Sequence, residues 1–387
     1  MLKLVLVSLY FMQISCAIVP EWGQCGGIGY FGDTTCVSGT TCSYNNDNLW
    51  RCERFDYGFK VSVRQILDCN NRDFLIRGVN SANADWDNYR RFYARNSLKS
   101  ISELGANTVR IQWRMDTTGG LTITDLENTI KEAIRNKLVV IVQLHDGTGS
   151  SDTSKLSRMA QWFASYIHVF QKYRRFLMIN IANEWGTAGT TAEVWRDAYI
   201  SAISTIRRSG WKGILIIDAP NKGENASAVF SYGLNLISHD RSQGGNGNIV
   251  FSVHVYSGWS SIYTNINNAL HSTYTYNRKD ITWLIGHLSD KNLINPNCQW
   301  VNNDYSSIMT YSQNNRIGYL GSYWAGSGHS IDCNQSLAPL NLISGDQILE
   351  ETWLKSKTSD LTVWGNRLFT TPSFGIQATS KKGSFFP

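Results

Sequence analysis

Glu184, in the stretch "NIANEWG", puts a carboxyl group at the polar end of an otherwise apolar run, with Asn183 before it and Trp185 after it. Similar runs recur along the chain. Each stays apolar until its last few residues and then turns polar or aromatic, which singles out Arg110, His145, Asn183, Glu184, Asp218, His254, Tyr256, His287 and Trp324. One buried histidine is usually a satisfied core residue. A whole set of polar groups at strand ends is different, because buried polar groups need partners and cost free energy without them. In a dry setting the Glu184 carboxyl is expected to titrate above its usual range, which suits a general acid. Asn183 is placed to donate to a sugar hydroxyl, and Trp185 and Trp324 offer flat apolar faces for pyranose rings. A carboxylic acid among aromatics points to glycoside hydrolysis.

The elements that must position these residues are eight apolar runs: 74–80, 107–113, 139–146, 176–185, 213–219, 249–256, 282–287 and 316–324. Amphipathic stretches lie between them. In 124–137, for example, Leu126, Ile130, Ala133 and Ile134 share one helical face. Runs that are continuous rather than alternating imply strands buried on both sides. Eight of them with crossover helices predict an α/β fold, a (β/α)8 TIM barrel whose site lies at the C-terminal strand ends. A doubly wound open sheet is the alternative, weakened because no Gly-rich phosphate loop follows the first strand. Upstream, "FKVSVRQILDCNNRDF" predicts a hairpin turned at Cys69–Asn71.

The chain has 387 residues, a formal net charge of +6 and only 17% charged residues, with 14 Trp and 18 Tyr. An aromatic-rich, charge-poor surface suits sugar rings better than phosphates, and without a basic block no nucleic-acid partner is expected. Residues 1–17 read as a signal peptide, one Lys before an apolar run that ends in Ser15-Cys16-Ala17. No other apolar stretch reaches membrane length. The expectation is a secreted, extracellular monomer with no membrane segment, with Asn225 and Asn334 in glycosylation sequons.

Four of the eight cysteines, Cys25, Cys36, Cys42 and Cys52, crowd into one short segment that is too small to fold without cross-links. Spacing alone leaves their pairing open. The segment resembles the fungal-type family 1 carbohydrate-binding module through "QCGGIGY", "SGTTC" and its cysteine spacing. The resemblance implies bridges Cys25–Cys42 and Cys36–Cys52, and a flat row of three aromatics for crystalline polysaccharide such as cellulose. Trp22 matches the first of these, but the other two positions fall on Asn48 and Leu49, with Trp50 one residue out of register. Of the rest, Cys16 leaves with the signal, Cys298 and Cys333 are able to pair, and Cys69 is left over. The module is placed at 18–54 and the large domain at 58–387, with a joining stretch "ERFDY" (53–57) that lacks a Ser/Thr/Pro tract.

The large domain resembles glycoside hydrolase family 5, and within it the bacterial-type endo-β-1,4-mannanases. The resemblance rests on "FLIRGVN", "GANTVRIQW", "QLHDGTG", "INIANEW", "FSVHVY", "WGNR" and "QATSKKGSFF". It implies retaining endo-hydrolysis of β-mannan, galactomannan or glucomannan, with a β-1,4-glucanase as runner-up. By motif it assigns Glu184 as acid/base, and Arg110, His145, Asn183, His254, Tyr256 and Trp324 as partners in the same site. It implies no metal or cofactor. Two departures stand out. Ser81-Ala82-Asn83 replaces a His-rich stretch after the first strand, which bears on mannan against glucan preference. At the end of the seventh strand, where the resemblance implies a nucleophilic Glu after Gly286, the chain has His287, and no glutamate occurs from 225 through 349.

A retaining glycosidase needs two carboxyls about 5–5.5 Å apart. Imidazole has no negative charge to steady an oxocarbenium ion, so a loss of several orders of magnitude in rate is expected. Three readings follow. Asp290 or Asp218 stands in, or the domain binds sugar without cleaving it, or His145, His254 and His287 hold a metal with Glu184, although their spacing matches no recognised metal motif.

Overall fold

The computed structural model describes residues 18–82, 90–115, 120–256, 258–271, 280–294, 297–328 and 333–386. The signal-peptide reading of residues 1–17 and the departure at Asn83 fall outside them. The chain divides into two compact units between Phe55 and Asp56. Of the expected joining stretch, Glu53 and Arg54 belong to a strand instead.

The first unit is a three-stranded antiparallel sheet, β1 (Gln24–Gly26), β2 (Thr40–Asn46) and β3 (Leu49–Arg54), in the order β1-β3-β2. The bridges are Cys25–Cys42 and Cys36–Cys52, with Cα separations of 5.8 and 5.5 Å. Cys25 and Cys52 are buried with Val19, and this sulfur-centred cluster replaces a core that so short a chain cannot build. Trp22 is 44% exposed. Trp50 is half-buried, packed on the cystine cluster and edge-on to Tyr44. In a strand, successive side chains point to opposite faces, so the one-residue offset from Leu49 accounts for a Trp50 that packs on the cluster.

The second unit opens with a hairpin, β4 (Lys60–Ser62) and β5 (Gln65–Leu67), that turns at Val63–Arg64, and the chain reverses again at the expected Cys69–Asn71, where Leu67 bridges Asp73 antiparallel and the Phe74 N–H donates to Ile66 O. Val63 and Arg64 both have positive φ, 42° and 68°, as a type I′ turn requires. Cys69–Asn71 forms a separate turn that closes on Asp68, whose Oδ1 accepts from Asn70 and Arg72. Eight parallel strands then close a barrel: β6 (Arg77–Ala82), β7 (Thr108–Trp113), β8 (Val139–Leu144), β9 (Leu177–Asn180), β10 (Leu215–Asp218), β11 (Ile249–Val255), β12 (Thr282–Leu288) and β15 (Gly318–Gly321). An antiparallel hairpin, β13 (Lys291–Ile294) with β14 (Gln299–Asn302), is inserted before the last of these. The TIM barrel expected from the apolar runs is the observed fold.

Every barrel strand is buried along its whole length. One apolar cluster fills the N-terminal end, with Ile141, Met178, Ile216, Val250, Leu284 and Leu320 from the strands and Phe59, Ile66 and Phe74 from the entry segment. Phe385 and Phe386 pack beneath it. The helix expected at 124–137 runs Ile123–Arg135, starts on a Thr122–Asp125 capping box, and buries Leu126, Ile130, Ala133 and Ile134. Cys298 and Cys333 form a third disulfide, and Cys69 is a buried thiol.

Candidate active site

The barrel's C-terminal end gathers the polar residues that the strands carry. Several of these strands end sooner than their apolar runs suggest. β9 stops at Asn180, so Asn183 and Glu184 sit in a turn beyond it, and Glu184 has φ 48°. A non-glycine residue in this left-handed region is uncommon and holds the carboxyl at a fixed angle. The Asp218 carboxylate supports the turn by accepting the Glu184 N–H at 3.0 Å.

Glu184 is 6% exposed and ringed by donors. His254 Nδ1 donates to its Oε1 at 2.7 Å, and the Tyr256 hydroxyl donates to the same oxygen. The other nitrogen of His254 lies 3.3 Å from Asp218 Oδ2, so this one ring faces two carboxylates. Burial pushes the Glu184 pKa up. The hydrogen bond and field of His254, the Tyr256 hydroxyl and the field of His287 outweigh it and hold the pKa at about 2. This corrects the expectation of a raised value. Dryness was the right premise, but the donors aimed at one oxygen decide the sign. Burial and Glu184 push the Tyr256 phenol well above its usual value, so it stays a donor.

Arg110 forms the floor. Its Nε donates to Asn80 Oδ1 at 2.6 Å and its Nη1 to Asn180 Oδ1 at 3.2 Å, which links β7 to β6 and β9. Asn80 Nδ2 in turn donates to the carbonyls of Gly286 and Gly321.

That grip falls on an irregularity in β12. Its pairing with β11 matches Ile285 to Val253 but His287 to His254, so Gly286 is an extra, bulged residue. A Cβ at Gly286 would collide with Ser252 Oγ and come within 3.0 Å of Arg110 Nη1 and His254 Nε2. Only glycine fits this approach. The bulge turns His287 into the site. Its ring centroid is 5.0 Å from Tyr256, 5.9 Å from His254 and 5.7 Å from Tyr323. The residue is 3% exposed, and neither ring nitrogen has a hydrogen-bond partner among the described residues. Burial first, then the fields of His254, Arg110 and His145, push its pKa down to about 3 against the pull of Glu184, so the ring is neutral at ordinary pH.

The remaining predicted residues fall around this centre. Asn183 Oδ1 accepts from Gln143 and its Nδ2 donates to Thr148 Oγ1 at 2.7 Å. His145 sits half-buried in a single 3-10 turn after β8. Trp324 and Trp185 do not present faces to sugar. Both are fully buried, with their indole N–H groups donating to the carbonyls of Trp353 and Asp152. They pack the barrel wall instead. Trp22 belongs to the small unit. Of the two sequons, Asn334 is exposed, and the Asn225 side chain caps the helix Ala226–Ser242.

The two candidate stand-in carboxylates both have partners, Asp218 within the site itself and Asp290 through one oxygen only, its Oδ1 being buried without a hydrogen-bond partner among the described residues. Asp218 is bonded to Glu184 N, His254 and Asn180. Asp290 Oδ2 accepts from Arg367 Nη1 at 2.6 Å. Among the described residues, Glu184 and the three imidazoles do not bring three ligand atoms within reach of one ion. Sequence reading overlooked Asn80, Asn180, Ser252 and Tyr323. Asn80 was within its reach, as the polar end of the first run.

Comparison with known proteins agrees with this geometry. Residues 21–48 match the fungal cellulose binding domain. A mannan endo-1,4-beta-mannosidase of Salipaludibacillus agaradhaerens is 26% identical over 339 residues, covering 85% of this chain and 96% of the relative. The enzyme of the same name from Cellvibrio japonicus is 27% identical over 333 residues, covering 85% and 69%. The crystal structure of a beta-mannanase from Streptomyces thermolilacinus superposes with a TM-score of 0.68 at 26% identity, covering 85% of this chain and all of that one. The family model described as cellulase (glycosyl hydrolase family 5) matches residues 67–330, a span that contains all eight barrel strands and the Glu184–His287 centre, and the chain belongs to that family.

Proposed function

We propose that this chain is a secreted protein directed at β-1,4-mannan, galactomannan or glucomannan. In this reading Glu184 holds the acid/base position of a retaining endo-mannanase, and His287 in the nucleophile position slows hydrolysis by orders of magnitude. One observation carries the reading: the Glu184 carboxyl faces the neutral imidazole of His287 across the mouth, where a second carboxylate would be needed, while the neighbouring Asp218 is bonded to the Glu184 N–H, His254 and Asn180. The effect is double. The attacking group is absent, and so is the neighbouring negative charge that would raise the Glu184 pKa into the range of a working acid. Arg110, His254 and Tyr256 remain in place to bind and orient a pyranose.

A paired assay of reducing-end release from galactomannan and glucomannan by the native chain and His287→Glu tests this. A large gain in the variant is expected. Equal, rapid rates would show that another group attacks the sugar. No release from either protein, with cleavage of a β-1,4-glucan instead, would favour the glucanase reading. The low rate expected of the native chain also supports a second reading, a wall-polysaccharide binder, which calorimetry with mannohexaose separates from an inert barrel.

A further inference from the structure

We propose that the outer wall of the barrel carries a second saccharide-binding groove, between the helices Trp259–His271 and Tyr305–Asn314, that takes a neutral β-linked polysaccharide chain. The inference rests on the polysaccharide reading above but not on which linkage is cut, or whether any is.

An open cavity of about 330 Å³ lies there, at the small end of ligand sites, which run roughly 300–1,000 Å³. Its apolar part is three rings set at steep angles. Tyr263 meets Tyr311 at 4.9 Å and 65°, and Trp259 meets Tyr311 at 5.8 Å and 72°. These edge-to-face contacts fix the rings against one another at the cavity's edge, with Trp259 and Tyr311 half-buried. Tyr263 is 40% exposed. The rest of the lining is hydroxyl and amide, including exposed Ser307, Thr310 and Asn314. Among the described residues no charged side chain lines the cavity. A lining of aromatic rings, hydroxyls and an amide matches a sugar, which has apolar C–H faces and a rim of hydroxyls.

The groove also starts beside the mouth. Trp259 follows Tyr256, whose hydroxyl touches Glu184, by three residues. At the other wall Asn303, just before Tyr305, is hydrogen-bonded to Ser289 and Asp290, immediately beyond β12. Both helices therefore begin on the rim, and a chain leaving the mouth can pass over it into the groove.

The test is retardation of the full chain in native gels containing galactomannan, glucomannan or hydroxyethylcellulose, in a Trp22→Ala background that silences the small module. Tyr263→Ala and Trp259→Ala should weaken retention about tenfold, and Tyr263→Phe should restore it. Ser307→Ala with Asn314→Ala, at exposed helix positions, keeps the test valid if an aromatic variant fails to fold. Retention unchanged in folded groove variants overturns the groove and leaves the mouth reading standing. No retention of the parent on any polymer overturns both. A groove variant that converts a dimer to a monomer in sedimentation would show that a second copy fills the groove, and would also overturn the proposal.

Discussion

His254 and His287 are register partners on adjacent parallel strands, with ring centroids 5.9 Å apart, yet their electrostatic circumstances are opposite. His254 has a carboxylate against each nitrogen, and His287 has no hydrogen-bond partner for either among the described residues. In the reading proposed above, the pair shows what a histidine in the nucleophile position does. It leaves the supporting network around Glu184 intact and removes the one negative charge which that network implies.

The first prediction concerns chemistry. His287→Glu places a second carboxylate against Glu184, and two like charges in a dry site cannot both stay ionised at low cost, so one pKa rises. Mannan hydrolysis should increase about a thousandfold or more. The variant's pH–rate profile should show an acid limb from the ionising nucleophile and an alkaline limb from the restored acid. A gain without the alkaline limb would mean that Glu184 stays ionised and the restored rate comes from nucleophilic attack alone.

The second concerns stability. The unfolded His287 ring takes up a proton near pH 6.5, whereas the folded one does so only near pH 3. The folded state therefore binds fewer protons across that window, and stability falls as pH is lowered through it. Glu184, depressed from 4.5 to about 2, adds a loss in the same direction, but only below about pH 4.5. Between pH 6.5 and 4.5 the effect of this pair belongs to His287. His287→Gln should accordingly flatten the fall of Tm between those pH values. Parallel Tm curves for the two proteins would show that the ring titrates normally.

The third concerns the bulge. Gly286→Ala drives a methyl group into Ser252 Oγ and should cost about 1–3 kcal/mol, the usual range for overpacking. Ser252→Ala removes the struck atom, so the double variant should recover part of that loss in a urea-melt mutant cycle. Additive effects would mean that the strand shifts as a body and the close approach is not fixed.

The barrel was legible because its signal is repeated. Eight apolar runs, buried on both sides, leave few architectures open, and the helix at Ile123–Arg135 declares itself by period and cap. The misread features depend on contacts between distant residues. Val63–Arg64 turns a hairpin without Gly or Asn, so local turn chemistry gives no warning. The bulge at Gly286 is held at its carbonyl by Asn80, some two hundred residues earlier. Trp185 and Trp324 read as sugar platforms because sequence does not distinguish an aromatic at a strand end from one behind it. The sign of the Glu184 shift needed the directions of two donors, which no spacing rule supplies.

The last prediction concerns the small unit. Trp22 is a half-exposed aromatic at the first position of the row that the module's resemblance implies. Exposed Asn48 and half-buried Leu49 hold the other two, and Trp50 is committed to the cystine cluster. A single ring provides one stacking contact where a crystalline surface calls for three in line, so retention on cellulose should be weak and should vanish in Trp22→Ala. Asn48→Tyr with Leu49→Tyr should strengthen it by about tenfold or more, since each aromatic contact contributes about 0.5–1.5 kcal/mol beyond the area it buries. The β2–β3 turn already presents these positions next to each other, so the substitutions should leave the fold and both bridges unchanged. Strong cellulose retention by the native chain that survives Trp22→Ala would place the binding face elsewhere on the module, where Phe31, 98% exposed, is the next aromatic to replace.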